Sequence, residues 1–394
     1  MTAFEKDIVS LVRAALIGEK PVLSAGVDYA QIYAFGKRQQ ILYMLNTGLS
    51  LVDGFEESEA APQFLTAACR EMAVCLTQQQ AIGQIRAAFF ENGIDFLPLK
   101  GTLMRELYPI PEMRTMADAD ILIKKEQVGA IAEAMQSLGY TESPGDEHEI
   151  IWKKANTLYV ELHRYLVPPF DADMFAFFEN HGTWAHAVPV GGNEYRMTPE
   201  DELIFDFLHF VKHFRGYGAG IRHIADIYLF RKSHPDLDET YLLERFAAVG
   251  CAEFYRNVCV LIDCWFGDAQ TSDVTDRITS LLFAGGIYGD TKMGEAFEQA
   301  KYRKQYRFAG AARLWHLVFP PFSVQKKRYP VLGKAPILLP FTWIFHGFQV
   351  LFRRPETFGS VSRAVKGTAQ GDEQDRFDMM ETIGIRITKG TFKK

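Results

Sequence analysis

The run Asp118-Ala119-Asp120-Ile121-Leu122-Ile123 sets two carboxylates one residue apart at the head of an apolar stretch. It predicts a strand, and side chains alternate faces along a strand. Asp118 and Asp120 then point one way, while Ala119, Ile121 and Ile123 point into a core. Like charges this close repel, and the arrangement becomes favourable once a divalent cation sits between them. Mg²⁺ suits such a place, because it takes one or two carboxylates together with substrate phosphates.

The chain repeats the Asp-x-Asp spacing twice more, at Asp171-Ala172-Asp173 and at Asp236-Leu237-Asp238. Each precedes a helix-like run, so both read as acidic caps that complement a helix N-terminus. The spacing alone is therefore a weak signal, and context must separate residues 118 and 120 from the other two pairs.

Working outward, 394 residues with 48% apolar and 13% aromatic content can bury a sizeable core and hold two or three domains. A net charge of −6 provides no overall basic field, which argues against a protein that coats nucleic acid. The five cysteines, Cys69, Cys75, Cys251, Cys259 and Cys264, form no Cys-x-x-Cys pair and read as reduced core thiols. The N-terminus lacks a basic segment followed by an apolar one, and no stretch of about 18 uncharged apolar residues occurs. The expectation is a cytoplasmic protein that is not integral to a membrane.

Helical spacing of apolar residues defines a region from 1 to 92. The pattern changes at Gly93, and residues 93–197 read as a core. It holds a strand at 94–99 ending in Lys100-Gly101-Thr102, a helix at 103–108, the strand at 118–123 and a helix at 126–138 closed by Gly139. Two strand-like runs, 149–154 and 157–163, are joined at Ala155-Asn156 as a hairpin, and a second small hairpin turns at Gly191-Gly192-Asn193. A helical region follows from 198 to 300, opened by Thr198-Pro199-Glu200-Asp201. Residues 301–394 form a basic, aromatic C-terminal segment; between Gln299 and Pro355 there is no acid and there are eleven Lys or Arg.

Leu99-Lys100-Gly101, Leu107-Tyr108, Arg114, Asp118-Ala119-Asp120 and Glu161-Leu162-His163 together resemble a bacterial family of uncharacterised nucleotidyltransferases within the DNA polymerase β-type superfamily. The resemblance covers most of the chain. It implies an α+β fold: a polymerase β-like core of small mixed sheet and helices, flanked by mainly helical N-terminal and C-terminal regions. It also implies Mg²⁺-dependent transfer of a nucleoside monophosphate from an NTP to an acceptor hydroxyl or phosphate, with release of pyrophosphate. Asp118, Asp120 and Glu161 would be the catalytic metal ligands for two ions about 3.5 to 4 Å apart. Lys100, Gly101, Thr102 and Arg114 would hold the triphosphate, with backbone N–H groups at a helix start. The acceptor is unknown, a small molecule or a protein, and nucleic acid fits less well with the charge.

Two departures from the superfamily pattern stand out: Thr102 where Ser is usual, and 15 residues between Thr102 and Asp118. The alternative function is an inactive nucleotide-binding or interaction protein on the same fold. Several residues also have plainer readings. Lys100 can be a solvated strand end, Arg114 a partner of Asp118 or Asp120, and Glu161 a partner of Lys153 or Lys154. His163 shares the Glu161 face and reads as structural or as orienting a ligand. His209 and His213 are four apart, but without the zinc-protease Glu they read as a cleft wall, with Lys212, His213 and Arg222 as possible cleft contacts. Asp226 reads as a buried anchor, and Gly216, Gly218 and Gly220 as a flexible connection. The prolines of the acid-free stretch favour a packed wrap, against a peripheral membrane contact of residues 320–354.

Overall fold

The structure, a computed structural model, describes residues 1–143, 148–168, 172–216 and 219–285, with shorter stretches at 319, 322, 325, 329–333, 335–344 and 380–386. Two compact units are defined: Met1–Phe214 with Gly218–Asp290 and Ile383–Lys394, and Arg215–Tyr217 with Thr291–Thr382.

The larger unit begins with helices α1 (Ala3–Ile17), α2 (Tyr29–Gln39), α3 (Leu42–Leu49) and the 31-residue α4 (Ala61–Glu91). Thr2 and Glu5 cap α1 reciprocally, which satisfies two backbone N–H groups that the first turn leaves open. A Cβ on Gly48 would come within 2.2 Å of the Leu11 carbonyl oxygen, so glycine there lets α3 approach α1 at backbone distance.

Seven strands follow: β1 (Phe96–Pro98), β2 (Asp118–Ile123), β3 (Thr141–Ser143), β4 (Glu149–Lys153), β5 (Tyr159–His163), β6 (Val188–Gly191) and β7 (Glu194–Arg196). They form one mixed sheet in the order β3-β4-β5-β2-β1-β7-β6. β2 pairs in parallel with β5 and β1 in parallel with β7, and the other pairings are antiparallel. Helix α5 (Gly101–Met104) lies between β1 and β2, and α6 (Val128–Ser137) between β2 and β3. The chain goes on through α7 (Ala172–His181), α8 (Thr183–His186), α9 (Pro199–Gly216), α10 (Arg222–Ser233), α11 (Glu239–Ala248), α12 (Ala252–Phe266) and α13 (Asp273–Ala284).

One face of the sheet is apolar. Ile121 and Ile123 of β2, Val160 and Leu162 of β5, and Ile150 and Trp152 of β4 pack with Ile85 and Phe89 of α4 and Ile131 and Met135 of α6. Burying each such side chain stabilises by about 1.5 to 3 kcal/mol, so this layer fixes the strand register. The opposite face is consequently where the alternate residues of β2, β4 and β5 must project.

Several sequence expectations change in detail. The helix expected at 103–108 is a single α turn from Gly101 followed by a 3-10 turn at Arg105–Leu107. The hairpin expected to turn on Ala155-Asn156 has a longer link, from Lys153 to Tyr159, with Asn156 at φ 58°. Asp238 is the cap of α11, its carboxylate accepting the Tyr241 N–H at 3.0 Å. Asp171 and Gly218 lie outside the described residues. All five cysteines are free thiols, but Cys69 is exposed and Cys259 and Cys264 are half-buried, so only Cys75 and Cys251 are core residues. Cysteine is small enough to be accommodated at any of these depths.

In the smaller unit, Pro330 and Pro336 each open a 3-10 turn, Pro330–Gly333 and Pro336–Leu338. The ring of Phe319 meets Trp343 edge-on at 5.7 Å. Most of the acid-free segment lies outside the described residues. No helix among the described residues is long and apolar enough to cross a membrane.

Candidate functional site

The parallel register of β2 and β5 sets Asp120 directly beside Glu161. The antiparallel register of β4 and β5 sets Glu149 beside His163. Directly opposed residues share a face, so Asp118, Asp120, Glu161, His163 and Glu149 all project from the side opposite the apolar layer. They line a cavity of about 380 Å³ together with Lys100, Gly101 and Arg114, and with residues of α9 and α10.

Asp120 is the hub. Its Oδ1 accepts from the Lys100 ammonium at 2.8 Å and lies 2.7 Å from His163 Nε2. Burial alone would raise this carboxyl, but Lys100 and His163 outweigh it and hold Asp120 well below the usual range. Asp118 moves the other way, raised by burial and by the Asp120 charge. Glu161 is pushed up to about 7 by burial and by the charges of Asp120 and Asp118. A carboxyl so displaced marks a surplus of negative charge, the condition under which a cation binds well. Oxygens of Asp120 and Glu161 and a ring nitrogen of His163 fall within 4.8 Å of one another.

The lysine occupies a strained position. Lys100 has φ 46° and ψ −119°, in a region that L-residues seldom adopt, and this turn carries its ammonium back over β2. Lys100 is thus an internal partner of Asp120 and not a solvated strand end. Lys153 lies over the Tyr159 ring and Lys154 donates to the Leu138 carbonyl, so neither is the partner of Glu161.

Arg114 is committed elsewhere. Its guanidinium grips Asp226 of α10 through two bonds, Nε to Oδ1 at 3.0 Å and Nη2 to Oδ2 at 2.9 Å, and the Tyr108 hydroxyl donates to the same carboxylate at 2.7 Å. All three are buried, so Asp226 is the anchor and Arg114 is its partner instead of a partner of Asp118 or Asp120. Gly101 makes this possible, since a Cβ there would stand 2.6 Å from Arg114 Nη1. Thr102 does not line the cavity. It is buried, its N–H donates to the Leu99 carbonyl, and a one-turn helix provides too little dipole for a phosphate seat.

The opposite wall was only partly legible. Asp206, His209 and His213 lie at i, i+3 and i+7 on α9 and share one face, with His223 of α10 beside them. His209 and His213 face each other, Nε2 to Nε2, at 2.8 Å. Burial pushes the Asp206 carboxyl well up and the His209 imidazole well down, and it lowers His213 to about 4 and His223 to about 3. At neutral pH these four groups are uncharged. Lys212 is exposed at the cavity, and Arg222 donates to the carbonyl and hydroxyl of Thr115 at 2.7 and 2.9 Å. His148, Glu149, Asp206 and His223 escaped the sequence reading. Only the alternation that puts Glu149 on the face of the β4 hairpin strand could have pointed to one of them.

Carboxylates massed on one sheet face beside a lysine define a site of the metal- and phosphate-handling class. The chain belongs to the uncharacterised nucleotidyltransferase family, whose family model matches residues 25–267. A search of curated proteins returned no match. Among solved structures, the chain is similar to the antibiotic-resistance factor ANT(2'')-Ia, whose solution structure is titled as revealing substrate-regulated conformation dynamics. The identity is 15%, over 44% of this chain and 91% of that one, at a TM-score of 0.32. At that score the likeness defines neither fold nor function.

Proposed function

We propose that the chain carries a polymerase β-like core and transfers a nucleoside monophosphate from an NTP to an acceptor hydroxyl or phosphate, with Mg²⁺, releasing pyrophosphate. The observation that carries this reading is the crowding of Asp118, Asp120 and Glu161 on one sheet face, with Glu161 raised to about 7 by its neighbours. Oxygen donors in a surplus of negative charge fit Mg²⁺, and these three residues would hold it. When bound, the ion would neutralise phosphate charge and favour ionisation of the attacking hydroxyl. Lys100 stands within reach of the same acids and would turn to the triphosphate once Asp120 is otherwise compensated. The neutral wall of Asp206, His209, His213 and His223 offers hydrogen bonds without charge, which suits a hydroxyl-bearing acceptor. The test is pyrophosphate release from Mg²⁺·NTP across a panel of sugars, polyols and peptides. Release that Asp118→Asn and Asp120→Asn abolish is the expected result; no release from any NTP with any acceptor would sink the reading.

One observation favours an inactive nucleotide-binding or interaction protein on the same fold. Asp120 is already compensated by Lys100 and His163 without any ion. Tight Mg²⁺·NTP binding with no pyrophosphate release would select this second reading.

A further inference from the structure

His148 and His163 are buried imidazoles that meet edge to face, with His163 Nδ1 3.3 Å from His148 Nε2. Ring tautomers decide what stands between them, because a neutral imidazole has one N–H and one lone pair. His163 Nε2 lies 2.7 Å from Asp120 Oδ1, a carboxylate that only accepts, so Nε2 carries the proton and Nδ1 the lone pair. His148 Nδ1 lies 3.1 Å from Glu149 Oε2, so here Nδ1 carries the proton and Nε2 the lone pair. Two lone pairs therefore face each other at 3.3 Å, an arrangement that is repulsive until a cation lies between them. Glu149 Oε2 stands 3.8 Å from the same His163 nitrogen and supplies a negative charge.

We propose that His148 Nε2, His163 Nδ1 and a carboxylate oxygen of Glu149 bind a borderline-soft divalent cation of the Zn²⁺ type, at a site separate from the acids of β2. Tetrahedral ligands at about 2.0 to 2.1 Å from a metal stand about 3.3 Å from one another, which is the spacing of the two nitrogens. The third donor needs only a shift of a few tenths of an ångström. Both rings already carry the orienting bond found on metal-bound histidines, the far N–H donated to a carboxylate. Nitrogen donors also separate this site from the neighbouring one, since Mg²⁺ selects oxygen. His163 thus joins two centres of different preference, one on each ring nitrogen. The inference stands whether or not the chain transfers nucleotides.

The experiment is titration of the full chain, stripped by a chelator, with Co²⁺ as a visible stand-in for Zn²⁺. One equivalent is expected to saturate an intense visible band of tetrahedral Co²⁺ that Zn²⁺ bleaches and excess Mg²⁺ does not. His148→Ala should abolish the band, weakening binding by more than the roughly 10- to 100-fold that loss of an orienting partner costs. Asp118→Asn should keep it, which excludes the acid site as its source. X-ray absorption of the Zn²⁺-loaded wild type should show two imidazole nitrogens at about 2.0 to 2.1 Å, a readout that needs no variant to fold. Absence of a saturable band in folded protein, a band unchanged in His148→Ala, or oxygen-only ligation would overturn the proposal. A proton shared between the rings predicts the first of these.

Discussion

His163 Nε2 lies 2.7 Å from Asp120 Oδ1, and that same oxygen accepts the Lys100 ammonium at 2.8 Å. One carboxylate oxygen thus serves two donors, and Lys100 occupies part of the ground that a metal ion would claim. Lys100→Met should therefore bind Mg²⁺ alone about tenfold more tightly, a gain of about 1.4 kcal/mol, while binding Mg²⁺·NTP more weakly because a phosphate partner is gone. Titration calorimetry with and without nucleotide measures both. Unchanged affinity for Mg²⁺ alone would show that Lys100 does not compete with the ion.

Glu161 makes the metal-free protein sensitive to pH. Its folded carboxyl titrates at about 7, above the ordinary value of 4.5, so the folded state holds a proton that the unfolded state has lost. Stability is accordingly highest below the unfolded value and falls as pH rises between the two. Discounted for partial exposure, the loss is about 1 to 3 kcal/mol. In the presence of a chelator, Glu161→Gln should flatten this slope and be the more stable protein above pH 7. Equilibrium unfolding at several pH values decides it, and parallel slopes for the two proteins would refute it.

The buried pair Arg114 and Asp226 ties the segment before β2 to α10. Asp226→Asn leaves the guanidinium uncompensated away from water and should cost about 3 to 5 kcal/mol, whereas Arg114→Met combined with Asp226→Leu should recover most of that loss. Denaturant unfolding of the two single variants and the double variant completes the cycle. Additive effects would mean that the pair is not coupled.

Gly101→Ala puts a methyl group 2.6 Å from Arg114 Nη1, and the arginine cannot yield freely because Asp226 holds it by two bonds. A loss of about 1 to 3 kcal/mol is expected, the range for forcing extra volume into a packed site. On an Arg114→Ala background the same substitution should cost far less. An equal cost on both backgrounds would place the constraint in the backbone.

Much of this was readable in order along the chain. The strand at 118–123, the cap at Asp238, the helix opening at Pro199 and the reversal at Gly191-Gly192 follow from local rules of alternation, capping and positive φ, and local rules act over a few residues. The lengths of the turn after Lys100 and of the link before Tyr159 did not follow. Packing on the sheet decides where such segments stop.

By itself, the sequence determined the alternation that sends Asp118, Asp120, Glu161 and His163 away from the apolar residues between them, and the family to which the chain belongs. Only the tertiary structure decided which charges meet. Lys100 turned inward to Asp120, Arg114 went to Asp226 across 112 positions, and His148 came to face His163 through the register of β4 on β5. The reason is that ionic partners are chosen by distance and burial. Both emerge from strand order and helix docking, and neither is carried by the spacing of residues along a chain.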